Sequence, residues 1–214
     1  MNQNNQEVNH KTADVQAANN QQVSIQELNK EQIHKIYRHW MIEHFPQDEI
    51  KPWKSISRMW ELGAYRGLGM FQEEKLLGYA LFAQEPEGDT LLLDYFAMLE
   101  TSRGQGLGGA FLRNMKNVMK DYAGILFETE DEAAAENEEQ LQVRKRRNAF
   151  YEREGMGRTT VRSEVYGVQY MIWSYPFSGE NIMDSEACQK KLTDIYKIMI
   201  PGEKFDKYVK ITGR

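Results

Sequence analysis

Residues 100–109 read ETSRGQGLGG. Four glycines, Gly104, Gly106, Gly108 and Gly109, fall within six positions, directly after the apolar run LLLDYFAML (91–99) and at the head of the apolar-periodic GLGGAFLRNMKNVMKDY (106–122). Glycines at such a junction let backbone N–H groups approach a ligand closely, and at a helix N-terminus that ligand is usually a phosphate. Two patterns overlap here. Gly104, Gly106 and Gly109 spell G-x-G-x-x-G, the dinucleotide fingerprint. Arg103, Gly106 and Gly108 spell R-x-x-G-x-G, a turn able to cradle a pyrophosphate in a different fold.

The elements on either side decide between them. Upstream, VSIQEL (23–28) predicts a short strand, and Asn29 caps a helix through NKEQIHKIYRHWMIEHF (29–45), where Ile33, Ile36, Tyr37, Trp40, Met41 and Phe45 recur at helical spacing. Pro46 and Pro52 punctuate a loop, and KSISRMWEL (54–62) follows as a second short helix. AYRGLGMFQ (64–72), LLGYALFAQ (76–84) and TLLLDYFAML (90–99) are strands joined by short polar connections, an antiparallel meander. After the turn, Leu107, Phe111, Leu112, Met115, Val118, Met119 and Tyr122 form one face of a helix. GILFETE (124–130) is a buried strand ending in acids, and QLQVRKRRNAFYEREGM (140–156) a helix stopped by Gly155. TTVRSEV (159–165) and VQYMIWSYP (168–176) close a hairpin around Tyr166-Gly167.

Composition sets the outer limits. The 214 residues, 41% hydrophobic, suit one globular domain, residues 23–177, with appendages. Residues 1–22 are half Asn and Gln and read as a disordered tail. Residues 178–214 form a C-terminal helical extension, with Cys188, Leu192, Ile195, Tyr196 and Met199 as an apolar stripe that either its own domain or a second copy, in a homodimer, must cover. A net charge of −5 gives no reason to expect nucleic acid or anionic lipid as partner, and no apolar run nears the roughly 20 residues of a membrane span. The single cysteine, Cys188, and the absence of a secretion signal imply the cytoplasm.

The dinucleotide reading fails on architecture. Glu128, 19 residues past Gly109, stands where a ribose-binding acid would. Yet that fold needs its fingerprint early and several βα units after it, whereas here three antiparallel strands precede the turn. The order β, α, α, β, β, β, glycine turn, α, β, α, β, β over residues 23–177 instead resembles the GCN5-related N-acetyltransferase (GNAT) family. SRGQGLGGAFL matches the family's acyl-CoA motif R/Q-x-x-G-x-G/A at Arg103, Gly106 and Gly108, and AFYEREGM resembles its aromatic-rich helix end, with Tyr151 four residues before Gly155. The resemblance implies an α/β (α+β) fold: a mixed, mostly antiparallel sheet with a splayed parallel pair in the middle, flanked by helices. It implies an acyl-CoA-dependent N-acyltransferase using acetyl-CoA and a primary amine, a small molecule favoured, by direct attack. A non-catalytic acyl-CoA-sensing module of the same fold is the alternative.

The resemblance also assigns residues. Backbone N–H groups across Arg103, Gly104, Gln105, Gly106, Leu107, Gly108 and Gly109 would hold the coenzyme pyrophosphate. Phe96, Ala97 and Met98 would pair with the pantetheine arm as with a missing strand, the Met98 N–H polarising the thioester carbonyl. A lysine-like amine, with a pKa of about 10.4, needs a base. Glu128 matches a glutamate that some members use, and Asp94, which by alternation shares the face of Phe96 and Met98, is its rival. Tyr151 stands where the family's general acid stands. Many members carry asparagine where this chain has Arg144, within an R-K-R-R-N run whose arginines reach either coenzyme phosphates, an acidic substrate or the acidic run 130–139. The loop FPQDEIKP resembles a pattern of small bacterial members through Phe45, Pro46, Glu49 and Pro52. Glu43, Asp48 and Glu49, with Trp53 and Trp60, would attract and stack on a cationic amine there, unless the segment is a surface loop pinned by aromatics. His34, His39 and His44 lack Cys or carboxylate companions at ligand spacing, so no metal is expected.

Overall fold

The computed structural model describes residues 12–16, 22–178 and 182–213. Its elements in chain order are β1 (Thr12–Gln16), β2 (Gln22–Glu27), α1 (Lys30–Ile36), α2 (Ile42–His44), α3 (Trp53–Glu61), β3 (Tyr65–Gln72), β4 (Lys75–Gln84), β5 (Thr90–Met98), α4 (Leu107–Val118), β6 (Gly124–Glu130), α5 (Glu138–Arg153), β7 (Gly157–Val165), β8 (Val168–Pro176), α6 (Ser185–Met199), α7 (Glu203–Tyr208) and β9 (Val209–Thr212). The strands form one sheet in the order β1-β2-β3-β4-β5-β6-β8-β7-β9. Only β5 and β6 run parallel, because the crossover through α4 joins them.

Period-two alternation divides the sheet's side chains between two cores. Phe82, Leu91, Phe127 and Trp173 face α4, meeting Phe111, Leu112 and Met115. Their chain neighbours Leu81, Leu92, Leu126 and Ile172 face the other way, onto Ile33 of α1, Ile56 and Met59 of α3, and Leu192 and Ile195 of α6. Asn29 caps α1 as expected, its side chain accepting from Gln32 N while the Gln32 side chain accepts from Asn29 N. The predicted helix 29–45 is not continuous α: a π turn over Tyr37–Met41 separates α1 from α2.

Both ends of the chain depart from the sequence reading. Thr12–Gln16, inside the predicted disordered tail, form β1 and pair with β2 from Thr12↔Gln26 to Gln16↔Gln22. Backbone pairing to a sheet edge does not require apolar side chains, which is why composition missed it. The rest of that predicted tail, residues 1–11 and 17–21, lies outside the described residues. The C-terminal stretch, read as an appendage, is built into the domain. Its stripe Cys188, Leu192, Ile195, Tyr196 and Met199 is buried in the second core, so no second copy is needed to cover it, and β9 extends the sheet along β7.

A β-bulge corrects one expectation about β5. Leu81 of β4 pairs with Tyr95 and Phe82 with Leu93, leaving Asp94 as the extra residue. The bulge breaks the alternation. Asp94 therefore does not share the face of Phe96 and Met98, which pack in the first core; it joins Tyr65 and Tyr95 on the second.

Candidate active site

The parallel pair stops early. β5 and β6 are in register only from Thr90↔Gly124 to Leu93↔Phe127. Beyond that point β5 stays with β4 as far as Gly78↔Met98, and β6 stays with β8 as far as Glu130↔Tyr170. The sheet forks, and the backbone edges of the two arms no longer serve each other. A buried edge without a partner is costly, so a fork in mid-sheet is a place for a ligand.

The glycine turn lies at the end of the β5 arm. Gly104 and Gly106 have φ of +75° and +73°, a left-handed conformation that suits glycine. A Cβ at either would meet nothing within 4 Å, so the turn borders open space. Gly106 is the N-cap of α4, and with no side chain capping it, the first-turn N–H groups are available to an anion. Arg103 Nε donates to Met98 O at 3.0 Å and Gln105 Nε2 to Thr101 O at 2.9 Å, bracing the turn on its own carbonyls. Leu107 anchors α4 in the first core, and a Cβ on Gly108 would lie 3.5 Å from Met98 Cγ. Gly109 is buried, packed beside the Arg113–Glu154 ion pair. Phe96 is T-stacked on Phe111, with centroids 5.7 Å apart. The residues predicted for the coenzyme, from Phe96, Ala97 and Met98 through Gly109, thus form one continuous strand end, turn and helix start.

The two carboxylates flank the fork on the face away from α4. Both oxygens of Asp94 are engaged: Oδ1 with the Lys51 ammonium at 2.6 Å and Oδ2 with the Tyr65 hydroxyl at 2.8 Å. Burial pulls the Lys51 pKa down, but Asp94, with Tyr95 and Glu128 nearby, outweighs it and holds the ammonium above its ordinary range. Glu128 is served differently. Its Oε1 accepts from Ser163 Oγ at 3.0 Å and from the Tyr196 hydroxyl, while Oε2 makes no hydrogen bond among the described residues. Burial raises its pKa, and the Tyr196 and Ser163 bonds and Lys51 pull it back only in part. Glu128 does not pair with the arginine run. Glu130 does, taking Arg144 at 2.9 Å and Arg147 at 3.7 Å, and Arg144 also donates to Asp131 O at 2.6 Å. The arginine in the asparagine position is therefore bound to the acidic segment.

Tyr151 approaches from the opposite face. Its ring lies 4.6 Å from Phe127, 5.3 Å from Phe150 and 6.2 Å from Trp173, and its hydroxyl makes no hydrogen bond among the described residues. Burial raises its pKa, with Arg147 opposing. Tyr151 and Glu128 thus sit on two sides of the sheet with the fork between them.

Several contributors escaped the sequence reading. Tyr95 OH accepts from Lys51 N at 2.9 Å and donates to Glu49 O at 2.8 Å, which ties the 45–52 loop to the bulge. Lys51, from the loop before α3, and Tyr65, Ser163 and Tyr196, from three separate elements, carry no local motif. His44 Nδ1 lies 2.9 Å from Tyr79 OH, and burial, then Arg103, lowers its pKa against Glu43. Trp53 is occupied structurally, its ring stacked on His34 at 4.3 Å and its backbone N–H donating to Tyr37 OH at 3.2 Å. Burial, then Glu130 and Asp48, raises the pKa of Glu49 against Arg147. Among the described residues no cluster of three or more His, Cys, Asp or Glu is placed to hold a metal, and no helix is long and apolar enough to cross a membrane.

The forked mixed sheet and the glycine turn feeding a helix N-terminus are the architecture the sequence resemblance implies. Residues 30–155 match the profile of the acetyltransferase (GNAT) family, and the chain belongs to that family. Solved structures share the fold at low identity. A GNAT-family acetyltransferase from Bacteroides thetaiotaomicron is similar with a TM-score of 0.61 at 17% identity, covering 78% of this chain and 92% of its own. The ribosomal-protein-S18-alanine N-acetyltransferase of Escherichia coli gives 0.52 at 20%, covering 75% and 99%. A GNAT-family protein from Desulfovibrio desulfuricans gives 0.51 at 18%, covering 73% and 99%. No curated protein matches the sequence.

Proposed function

We propose that the chain transfers an acetyl group from acetyl-CoA to a primary amine, a small-molecule acceptor being favoured, by direct attack at the fork. The observation that carries this is the division of labour there: a carboxylate with one oxygen that takes no hydrogen bond among the described residues on one face, a partly buried phenol on the other, and strand edges that do not pair with each other between. Acetyl-CoA, when bound, supplies the activated thioester. The turn from Arg103 to Gly109 suits its pyrophosphate, since open space borders two left-handed glycines at an uncapped helix start. The β5 arm, Phe96 to Met98, offers amides to the pantetheine arm. Reach favours the amide nearer the fork as the carbonyl's donor. Met98 stands four residues past Asp94, about 13 Å of strand, whereas Phe96 is two.

Glu128 takes the amine proton on Oε2. Its raised pKa brings it closer to that of the proton it must accept, while Asp94, with both oxygens engaged, orients Lys51. Tyr151 donates to the departing thiolate. The only cysteine, Cys188, is fully buried with its thiol pushed up to about 11 by burial, which supports direct attack over a cysteinyl intermediate. A single reduced thiol also suits the cytoplasm.

The test is thiol release from acetyl-CoA against polyamines, amino acids, aminoglycosides and peptide N-termini. Wild type should transfer to at least one. Tyr151→Phe should then turn over about 100-fold more slowly with KM for acetyl-CoA unchanged. Coenzyme binding with no transfer to any amine would overturn the reading.

A further inference from the structure

The family profile ends at residue 155, yet α6, which begins thirty residues later at Ser185, reaches the fork. Tyr196 is 1% exposed, and its hydroxyl both donates to Glu128 Oε1 and lies 3.1 Å from Ser163 Oγ, the other donor to that oxygen. Its place is fixed from several sides. Leu192 and Ile195 pack into the second core, Arg58 of α3 donates to Ile198 O, Lys191 pairs with Asp89, and β9 braces Ser163 through the pair Ser163↔Ile211. A phenol so buried could hydrogen-bond backbone or water. This one meets the carboxylate of another element 68 positions away.

We infer that Tyr196 is a positioning residue: it holds Glu128 Oε1 so that Oε2 remains the free proton acceptor at the fork. The inference rests on the reading of Glu128 as the base. A donor to the ionised form favours that form, and burial disfavours it. The charged and titratable groups around Glu128 are Lys51 from the loop before α3, Asp94 from β5, Tyr170 from β8 and Tyr196 from α6. Of these, Tyr196 alone bonds the carboxylate directly. It therefore does for Glu128 what Lys51 and Tyr65 do for Asp94, but leaves one oxygen unclaimed. That makes the C-terminal segment part of the catalytic apparatus, although it lies beyond the matched family core.

The experiment uses the full chain labelled with [δ-13C]glutamate, the Glu128 signal being assigned by its loss in Glu128→Gln. Its carboxyl midpoint is followed by NMR in wild type and in Tyr196→Phe. The midpoint should rise by about one pH unit or more in the variant, with a cooperative melt and acetyl-CoA affinity retained. A midpoint that does not move in the folded variant overturns the inference. If the variant does not fold, wild type still answers: the tyrosine ζ-13C signal of Tyr196 must shift with the Glu128 midpoint, and one blind to it overturns the inference equally. Transfer to an amine acceptor separates the two readings. An acid limb of kcat/KM that follows the carboxyl midpoint in both proteins supports both. A moved carboxyl with an unmoved limb leaves the hydrogen bond in place and overturns Glu128 as the base.

Discussion

Below Leu93 and Phe127 the strands β5 and β6 are alike, in-register and apolar; above them they become different objects. In the proposed function the β5 arm works through its backbone. It bulges at Asp94, turns that side chain away and runs into a glycine turn whose helix start no side chain caps. The β6 arm instead presents side chains, Glu128 and Glu130, each held by groups from other elements. A backbone site needs only local conformation. A side-chain site needs the whole tertiary structure to deliver its partners.

The sharpest break between the arms is Glu128→Gln. It should lower transfer by about 10² to 10⁴-fold, the span of general-base effects, with acetyl-CoA affinity unchanged in a calorimetric titration. Equal loss of both would mean the arms are not separable. The converse variant is Gly106→Val, which forces a β-branched side chain to the positive φ of the N-cap. Acetyl-CoA should bind at least tenfold more weakly, for a cost of about 1–2 kcal/mol. The Glu128 carboxyl should titrate as before.

Lys51→Met tests whether Asp94 belongs to the structural side of the comparison. It strands a carboxylate whose side chain is 5% exposed, while Lys51 itself is 27% exposed, so the loss should be below that of a fully buried pair, about 2 kcal/mol by urea unfolding. The smallest effect has the opposite sign. Glu128 has its pKa raised by burial in the folded state, so keeping it ionised costs stability. That cost is absent below the unfolded value, develops as pH climbs to the folded value and is constant above it. Glu128→Gln should therefore melt slightly higher than wild type at neutral pH, with the gap closing in acid. A gap that widens in acid would show the carboxylate to be a net stabiliser.

The same contrast explains what the sequence could disclose. The glycine turn, the meander before it and the helix after it were legible because turn chemistry and periodicity are local. So was the place of Tyr151 near the end of α5, four residues before Gly155. The bulge was not: it depends on the register of β5 against β4, and simple alternation put Asp94 on the wrong face. Lys51 sits in a proline-flanked loop and Tyr65 at the start of a strand, and nothing near either residue signals that both converge on Asp94. Tyr196 looked like one more apolar stripe position, because a buried tyrosine and a buried leucine give the same periodic mark. Strand β1 was hidden by its composition, since its contribution is backbone pairing.

The fork also has a mechanical consequence. Among the described residues, four paired positions, Thr90↔Gly124 to Leu93↔Phe127, are the only ladder joining a five-strand plate, β1 to β5, to a four-strand plate, β6 to β9. Both cores also span the two plates, so a ligand lying between the arms would add a second bridge beyond that ladder. Amide exchange would register this as protection gained along 94–98 and 128–130 when acetyl-CoA is added, with the Leu91–Leu93 amides slow throughout.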